Sequence, residues 1–404
     1  MGKTQPTNRS LFRMVGRQPQ LFSLMLLSAF AAMGAIVMTP ALPSIASHFG
    51  TRIGTTQLSV TSFLWGYAFG QLIYGPLANR FGRKFALHTG IFIATLGTIF
   101  SLLSSPIESF SLLIFGRFIE AVGASSGLAI SFTIINDFYF EKEARKILGA
   151  LMLAFAIVPG IATAVGGVLV QYFNWNACFY FLLFYGLFLF YLAHLLPETL
   201  REKDFNAMHH RYILERYKSK FMNKKLIGYA MIAGFSGACT YVFGAEGPFI
   251  GIHMLKFQPA IYGMLGLLPY FGTFLGSIMA MFVSAHDEKL ILLISFSLEF
   301  IAALLMFFLF LLNTVSLWTM LIPMGLFSVG HAMLCATAIS LSTRQDNDKA
   351  NTSAVSSFTM MCMPVLMTFV LSVFHAANAI IMPSIFLVSL MLMGLTYFYM
   401  IKDT

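Results

Sequence analysis

Arg117 and Glu120 stand three residues apart in a run, 110–135, whose other residues are all uncharged. Three apart on a helix puts both side chains on one face. A cation and a carboxylate placed together inside a bilayer support two kinds of chemistry. The acid can take up and release a proton, and the guanidinium can bind a carboxylate in a bidentate fork. A charge there costs at least ~2.5–3.5 kcal/mol, so the two are expected to pair. The bland alternative is a buried ion pair that only fixes helix packing. Glu246 and His331 are further candidates for carrying a proton, His331 being the one histidine well inside an apolar run. Tyr67 and Gln71, one turn apart, either line a cavity or bridge helices. Metal chemistry is not expected, because His209 and His210 lack partner ligands. Cys178, Cys239, Cys335 and Cys362 fall in apolar runs without ligand spacing, read as packing residues outside any disulfide. No Gly-rich loop ending in Gly-Lys-Ser/Thr is present, which excludes ATP-driven pumping. Nothing calls for a cofactor or an enzyme's catalytic group.

The elements that must position these residues are membrane helices. Of 404 residues, 58% are hydrophobic and 10% charged, with a mean hydropathy of +0.80. No soluble fold of this length hides that much apolar surface. The apolar runs divide into twelve spans near 19–41, 57–78, 85–105, 109–135, 146–171, 175–196, 226–250, 260–284, 289–311, 316–341, 351–374 and 379–401. The expected fold is therefore an all-α polytopic membrane protein with two six-helix halves, 19–196 and 226–404. They are joined by a polar loop, 197–225, and preceded by a basic N-terminus, 1–18. With the N-terminus inside, 22 of the 25 Lys and Arg fall on the cytoplasmic side. Arg52 and Lys256 fall outside, and Arg117 lies within a span. That asymmetry predicts both termini in the cytoplasm. It also explains the net charge of +9 without a nucleic-acid partner; the basic loops meet anionic lipid. The basic, polar first 20 residues carry no cleavage-site pattern, so the first span is expected to stay.

Between the second and third spans lies Gly75-Pro76-Leu77-Ala78-Asn79-Arg80-Phe81-Gly82-Arg83-Lys84. It resembles the signature loop of the major facilitator superfamily, Gly-x-Leu-Ala-Asp-Arg-x-Gly-Arg-Lys, with Asn79 in place of the acid. Gly75 and Gly82 are expected to supply the backbone freedom of a short turn. Pro40-Ala41-Leu42-Pro43, ending the first span, is similar to the drug-resistance transporters of the Bcr/CflA group. There the family's embedded Asp is replaced by Ile36. Arg117 and Gly123 match the superfamily's fourth-helix motif Arg-x-x-Gln-Gly-x-Gly, with Glu120 for Gln and Ala121 for Gly. Pro159, Gly166 and Gly167 match its fifth-helix antiporter motif, with Thr163 for a second proline. Asp137 and the following run 141–146 resemble the Bcr/CflA loop after span 4, read either as a latch against the basic loop or as a merely solvated charge run. Glu299 lies on a helix the family places at the periphery, which implies a structural or a lipid-edge role.

The resemblance implies the major facilitator fold and a secondary transporter of the bacterial inner membrane. It would export small organic compounds in exchange for protons, by rocking two halves around a midplane site. On this reading Arg117, Glu120, Glu246, His331, Gln71 and Tyr67 serve substrate and proton coupling. Gly75, Asn79, Arg80, Gly82, Arg83, Asp137, Pro159, Gly166 and Gly167 serve the conformational change. The implied partners are a small-molecule substrate, protons and membrane lipids, with the chain acting as a monomer. An importer or facilitator of a polar metabolite or siderophore, with Arg117 binding a substrate carboxylate, is the alternative. A receptor or scaffold would need extramembrane surface that this chain lacks.

Overall fold

Without water, a chain can satisfy its N–H and C=O groups only by closing hydrogen bonds within the segment, so each apolar run becomes a helix. The computed structural model describes residues 18–283, 287–346, 348–374 and 378–402. Lys3, Arg9, Arg13 and Arg17 lie outside the described residues, as do the side chains of Glu141, Lys142, Arg145, Lys146 and His210. Helices α1 to α6 are Leu21–Phe49, Ile53–Phe81, Arg83–Leu103, Phe110–Phe138, Glu141–Tyr172 and Asn176–Leu195. Helices α7 to α12 are Lys224–Met254, Pro259–Val283, Glu288–Leu311, Leu317–Arg344, Lys349–Val373 and Ile381–Lys402. A shorter linker helix, His210–Phe221, lies between the two sets. Ten of these helices are long and apolar enough to cross a membrane. The other two are α2, studded with hydroxyl and amide side chains, and α5, in which Ala156–Tyr172 is an apolar stretch among the described residues.

Packing repeats with a period of six helices. In the first half α1 packs on α4, α5 and α6; α2 packs on α4; and α3 packs on α4 and α6. Adding six to every label reproduces the main contacts of the second half. The halves meet through α2 against α11 and α5 against α8, two contacts that the same rule interconverts. This is the pattern expected of two repeats related by an axis along the membrane normal. Apolar side chains such as Phe184, Phe282, Leu293 and Phe308 face outward, where lipid tails rather than water meet them.

Two details depart from expectation. The signature loop is shorter than its motif, because α2 runs on through Phe81 and only Gly82, at φ 113°, leaves the helix. Gly75 is therefore not a turn residue; it sits in helical backbone on an exposed flank with nothing near where a Cβ would stand. Pro76 is also inside α2 and deprives the Leu72 carbonyl of its i+4 donor. The Tyr217 hydroxyl of the linker helix fills that place, donating to Leu72 O at 2.9 Å. Burial, with the Asp348 carboxylate nearby, pushes the Tyr217 phenol up to about 12, so it remains a donor at neutral pH. The break in α1 is handled locally: Thr39 Oγ1 donates at 2.9 Å to Ile36 O, the carbonyl that Pro40 leaves unpaired.

Candidate functional site

Four clusters of polar side chains interrupt the apolar interior. The first is the Arg117–Glu120 pair on α4, one turn apart, with Nη1 donating to Oε2 at 2.9 Å. The two side chains are 0% and 2% exposed. Glycines bring the surrounding helices close. Gly97 of α3 lies against the backbone of Glu120, and Gly34 of α1 leaves the space that Glu120 Oε1 borders. Arg117 stacks its guanidinium 4.2 Å from the ring centroid of Phe63 on α2 and 6.0 Å from that of Phe179 on α6. Among the described residues its Nε and Nη2 have no hydrogen-bond partner. The pair is thus packed among α1, α2, α3, α4 and α6, inside the first half. The arrangement can hold a proton on Glu120 or present Arg117 donors to an anion.

The second cluster crosses the halves. Glu246, near the end of α7, is buried and accepts a hydrogen bond from the Gln57 amide of α2. Further along α2, Thr61 donates to Thr368 of α11 at 3.0 Å. Tyr67 is buried on the same helix and Gln71, one turn on, is half-buried. On the other seam, Gly167 of α5 meets the Pro259 carbonyl of α8, while Gly166 meets the Val37 carbonyl of α1. A side chain at either position would overlap backbone, which is why small residues stand there. Thr163 Oγ1 donates to Pro159 O at 2.9 Å, one turn below.

The third lies at the basic end of the bundle. Arg83 Nε donates to Asp137 at 2.9 Å, and its Nη1 donates to Ala78 O and to Asn79 Oδ1 at 2.9 and 3.1 Å. Asn79 therefore keeps the acceptor role of the acid it replaces, without the charge. Glu198 was not singled out in the sequence, yet it caps this turn. It accepts from the N–H groups of Arg83 and Lys84 at 3.0 and 3.1 Å, at the positive end of α3. Thr199 Oγ1 adds a bond to Asp137 at 2.9 Å. Arg80 stacks 4.5 Å from the ring centroid of Phe205, and Asp204 N donates to Asn79 O at 3.1 Å. The linker helix continues to the second half, where Lys220 pairs with Asp346 and Arg216 lies 3.7 Å from Asp348.

The fourth cluster contains Glu299. Of the two expected roles, structural or lipid-edge, the second does not fit: the side chain is 0% exposed and turned toward α7 and α10. Ser236 Oγ of α7 donates to Glu299 and lies 2.7 Å from His331 Nδ1 of α10. The facing of α9 was hard to read because all its sides are apolar. The signal was the stripe Ser295, Glu299, Ala302 and Met306, at helical spacing, all buried.

Comparison with known proteins agrees with this architecture. The sequence profile of the Major Facilitator Superfamily matches residues 24–362. The bicyclomycin resistance protein homolog of Haemophilus influenzae is 24% identical over 338 residues, 82% of this chain and 83% of its own length. Multidrug resistance protein D of Escherichia coli is 28% identical over 325 residues, covering 79% of each chain. Among solved structures, the xylose transporter XylE from E. coli, in a partially occluded inward open conformation, superposes with a TM-score of 0.73. That match spans 95% of this chain and 98% of XylE at 14% identity, a likeness of fold. With a profile match over most of its length, helix contacts that repeat with a period of six and seams at α2–α11 and α5–α8, this chain belongs to the Major Facilitator Superfamily.

Proposed function

We propose that this transporter exports small organic compounds, drug-like molecules or metabolites, in exchange for protons. It would do so as a monomer in a bacterial inner membrane, with both termini in the cytoplasm. Relatives named for bicyclomycin and multidrug resistance support the substrate class. The observation that carries the mechanism is the buried Arg117–Glu120 pair, which joins a titratable acid to a cation with unfilled donors. Intramembrane ionisable groups are kept where they move ions or substrates. A proton on Glu120 cancels its charge and loosens Arg117, whose donors then favour another arrangement of the helices around it. Halves 19–196 and 226–404 would rock about the α2–α11 and α5–α8 seams, with 197–225 as the strap between them. The Gln57–Glu246 bond would have to break whenever the end opposite the basic loops opens.

The test uses purified protein in lipid vesicles with an imposed pH gradient and a panel of cationic and neutral aromatic compounds. Wild type should accumulate substrate against its gradient, driven by counterflow of protons. Glu120→Gln keeps the hydrogen bond to Arg117 and cannot titrate, so it should bind substrate but lose the pH-driven component. Uphill transport with an unchanged pH dependence in Glu120→Gln would make the pair structural. Uptake in the direction of the proton flow would favour an importer.

A further inference from the structure

The second half has a buried acid of its own with no countercharge. Between residues 226 and 401 the basic residues are Lys256, Lys289, Arg344 and Lys349, all at helix ends. Glu299 sits mid-helix, and among the described residues it joins no ion pair. Its Oε2 has no hydrogen-bond partner. Among the described residues the polar side chains placed beside it are Ser236 and Cys239 from α7 and His331 and Cys335 from α10, none of them a permanent cation. An ionised carboxylate so placed would carry an uncompensated desolvation penalty, which a bound proton removes. His331 is half-buried, whereas Ser236 and Glu299 are fully buried, so the imidazole is the accessible end of the cluster.

We propose that Glu299, Ser236 and His331 form a proton-binding site inside the second half, with the proton resting on Glu299 and exchanged through Ser236 with His331. The step balances. Imidazolium gives its Nδ1 proton to Ser236 Oγ, Ser236 gives its own hydroxyl proton to the Glu299 carboxylate, and the products are neutral imidazole, the same serine and a carboxylic acid. Both hops run over hydrogen bonds already in place. Only the use of this site in transport rests on the antiport reading above.

Infrared spectra of the purified full-length protein, recorded in light and in heavy water, test it directly. Wild type should show the carbonyl stretch of a protonated carboxylic acid in apolar surroundings, and Glu299→Gln should lose that component. Ser236→Ala should keep the band but shift it to the position of an acid lacking its hydroxyl neighbour. His331→Gln should slow its exchange into heavy water. A Glu299→Gln spectrum superimposable on wild type overturns the site. If that variant does not fold, a band unmoved in Ser236→Ala does so instead. Unchanged exchange in His331→Gln overturns the relay. Bands behaving as expected in protein whose vesicles show no pH-driven flux would support the proton site and overturn the antiport reading instead.

Discussion

Arg117 is held by groups that all favour its charge: the Glu120 carboxylate and the faces of Phe63 and Phe179. A desolvated cation over an aromatic ring gains ~0.5–2 kcal/mol, which partly offsets burial. Arg117→Ala removes these contacts and strands a buried carboxylate, so unfolding stability should fall by about 3–5 kcal/mol. Adding Glu120→Gln removes the stranded charge, and the double variant should regain part of that loss. Thermal unfolding of the single and double variants checks this; equal losses in both would mean that the carboxylate is not what destabilises Arg117→Ala. The pair was legible in the sequence because charge in an apolar run is conspicuous. Glu198 and Tyr217 were not, since a carboxylate and a phenol in a polar loop carry no sign of what they touch.

Among the helices, α5 carries two adjacent glycines with different partners. Gly166 faces α1 within the first half, and Gly167 faces α8 across the seam. Gly166→Ala should therefore lower stability by the ~1–3 kcal/mol typical of overpacking. Gly167→Ala should leave the unfolding midpoint closer to wild type and favour conformers in which α5 and α8 stand apart. Spin-label distances between the two helices, read beside thermal unfolding, would separate the effects; the same response from both variants would refute the distinction. The positions of the helices were readable because bilayer thickness sets span length. Their facing was readable where polar residues broke the pattern, as along α2. It was not on α9, where lipid-facing and core-facing sides are equally apolar and a carboxylate gives no direction by itself. The end of α2 was misplaced for a related reason: a glycine in a helix and a glycine in a turn look alike until a backbone angle tells them apart.

For the whole molecule, the two six-helix repeats make the two seams equivalent, so closure at one end of the bundle involves both halves alike. The basic end, with Arg83, Asp137, Glu198 and the linker helix, should face the cytoplasm under the positive-inside rule. Single cysteines at Lys402 and Asn174, in a background without native cysteines, should react with an impermeant thiol reagent from opposite sides. Asn174 should react in intact cells and Lys402 only after the membrane is opened. Reaction of both from the same side would be incompatible with the seven crossings, α6 to α12, expected between them.

The bond from Tyr217 to Leu72 is addressed to a main-chain atom, so the linker is blind to which side chain occupies position 72. What it detects is a missing hydrogen at position 76. Pro76→Ala would return that hydrogen, let Leu72 O pair within α2, and remove a helix defect that costs ~3 kcal/mol in an ordinary interior. The repaired helix should then compete with Tyr217 for the carbonyl. Limited trypsin digestion should cut the linker faster in Pro76→Ala than in wild type even as α2 becomes more regular. An unchanged cleavage rate would mean that the linker's other contacts hold it without the Tyr217 bond. Here an imperfection in one element is the attachment point of another, and mending it should set the strap loose.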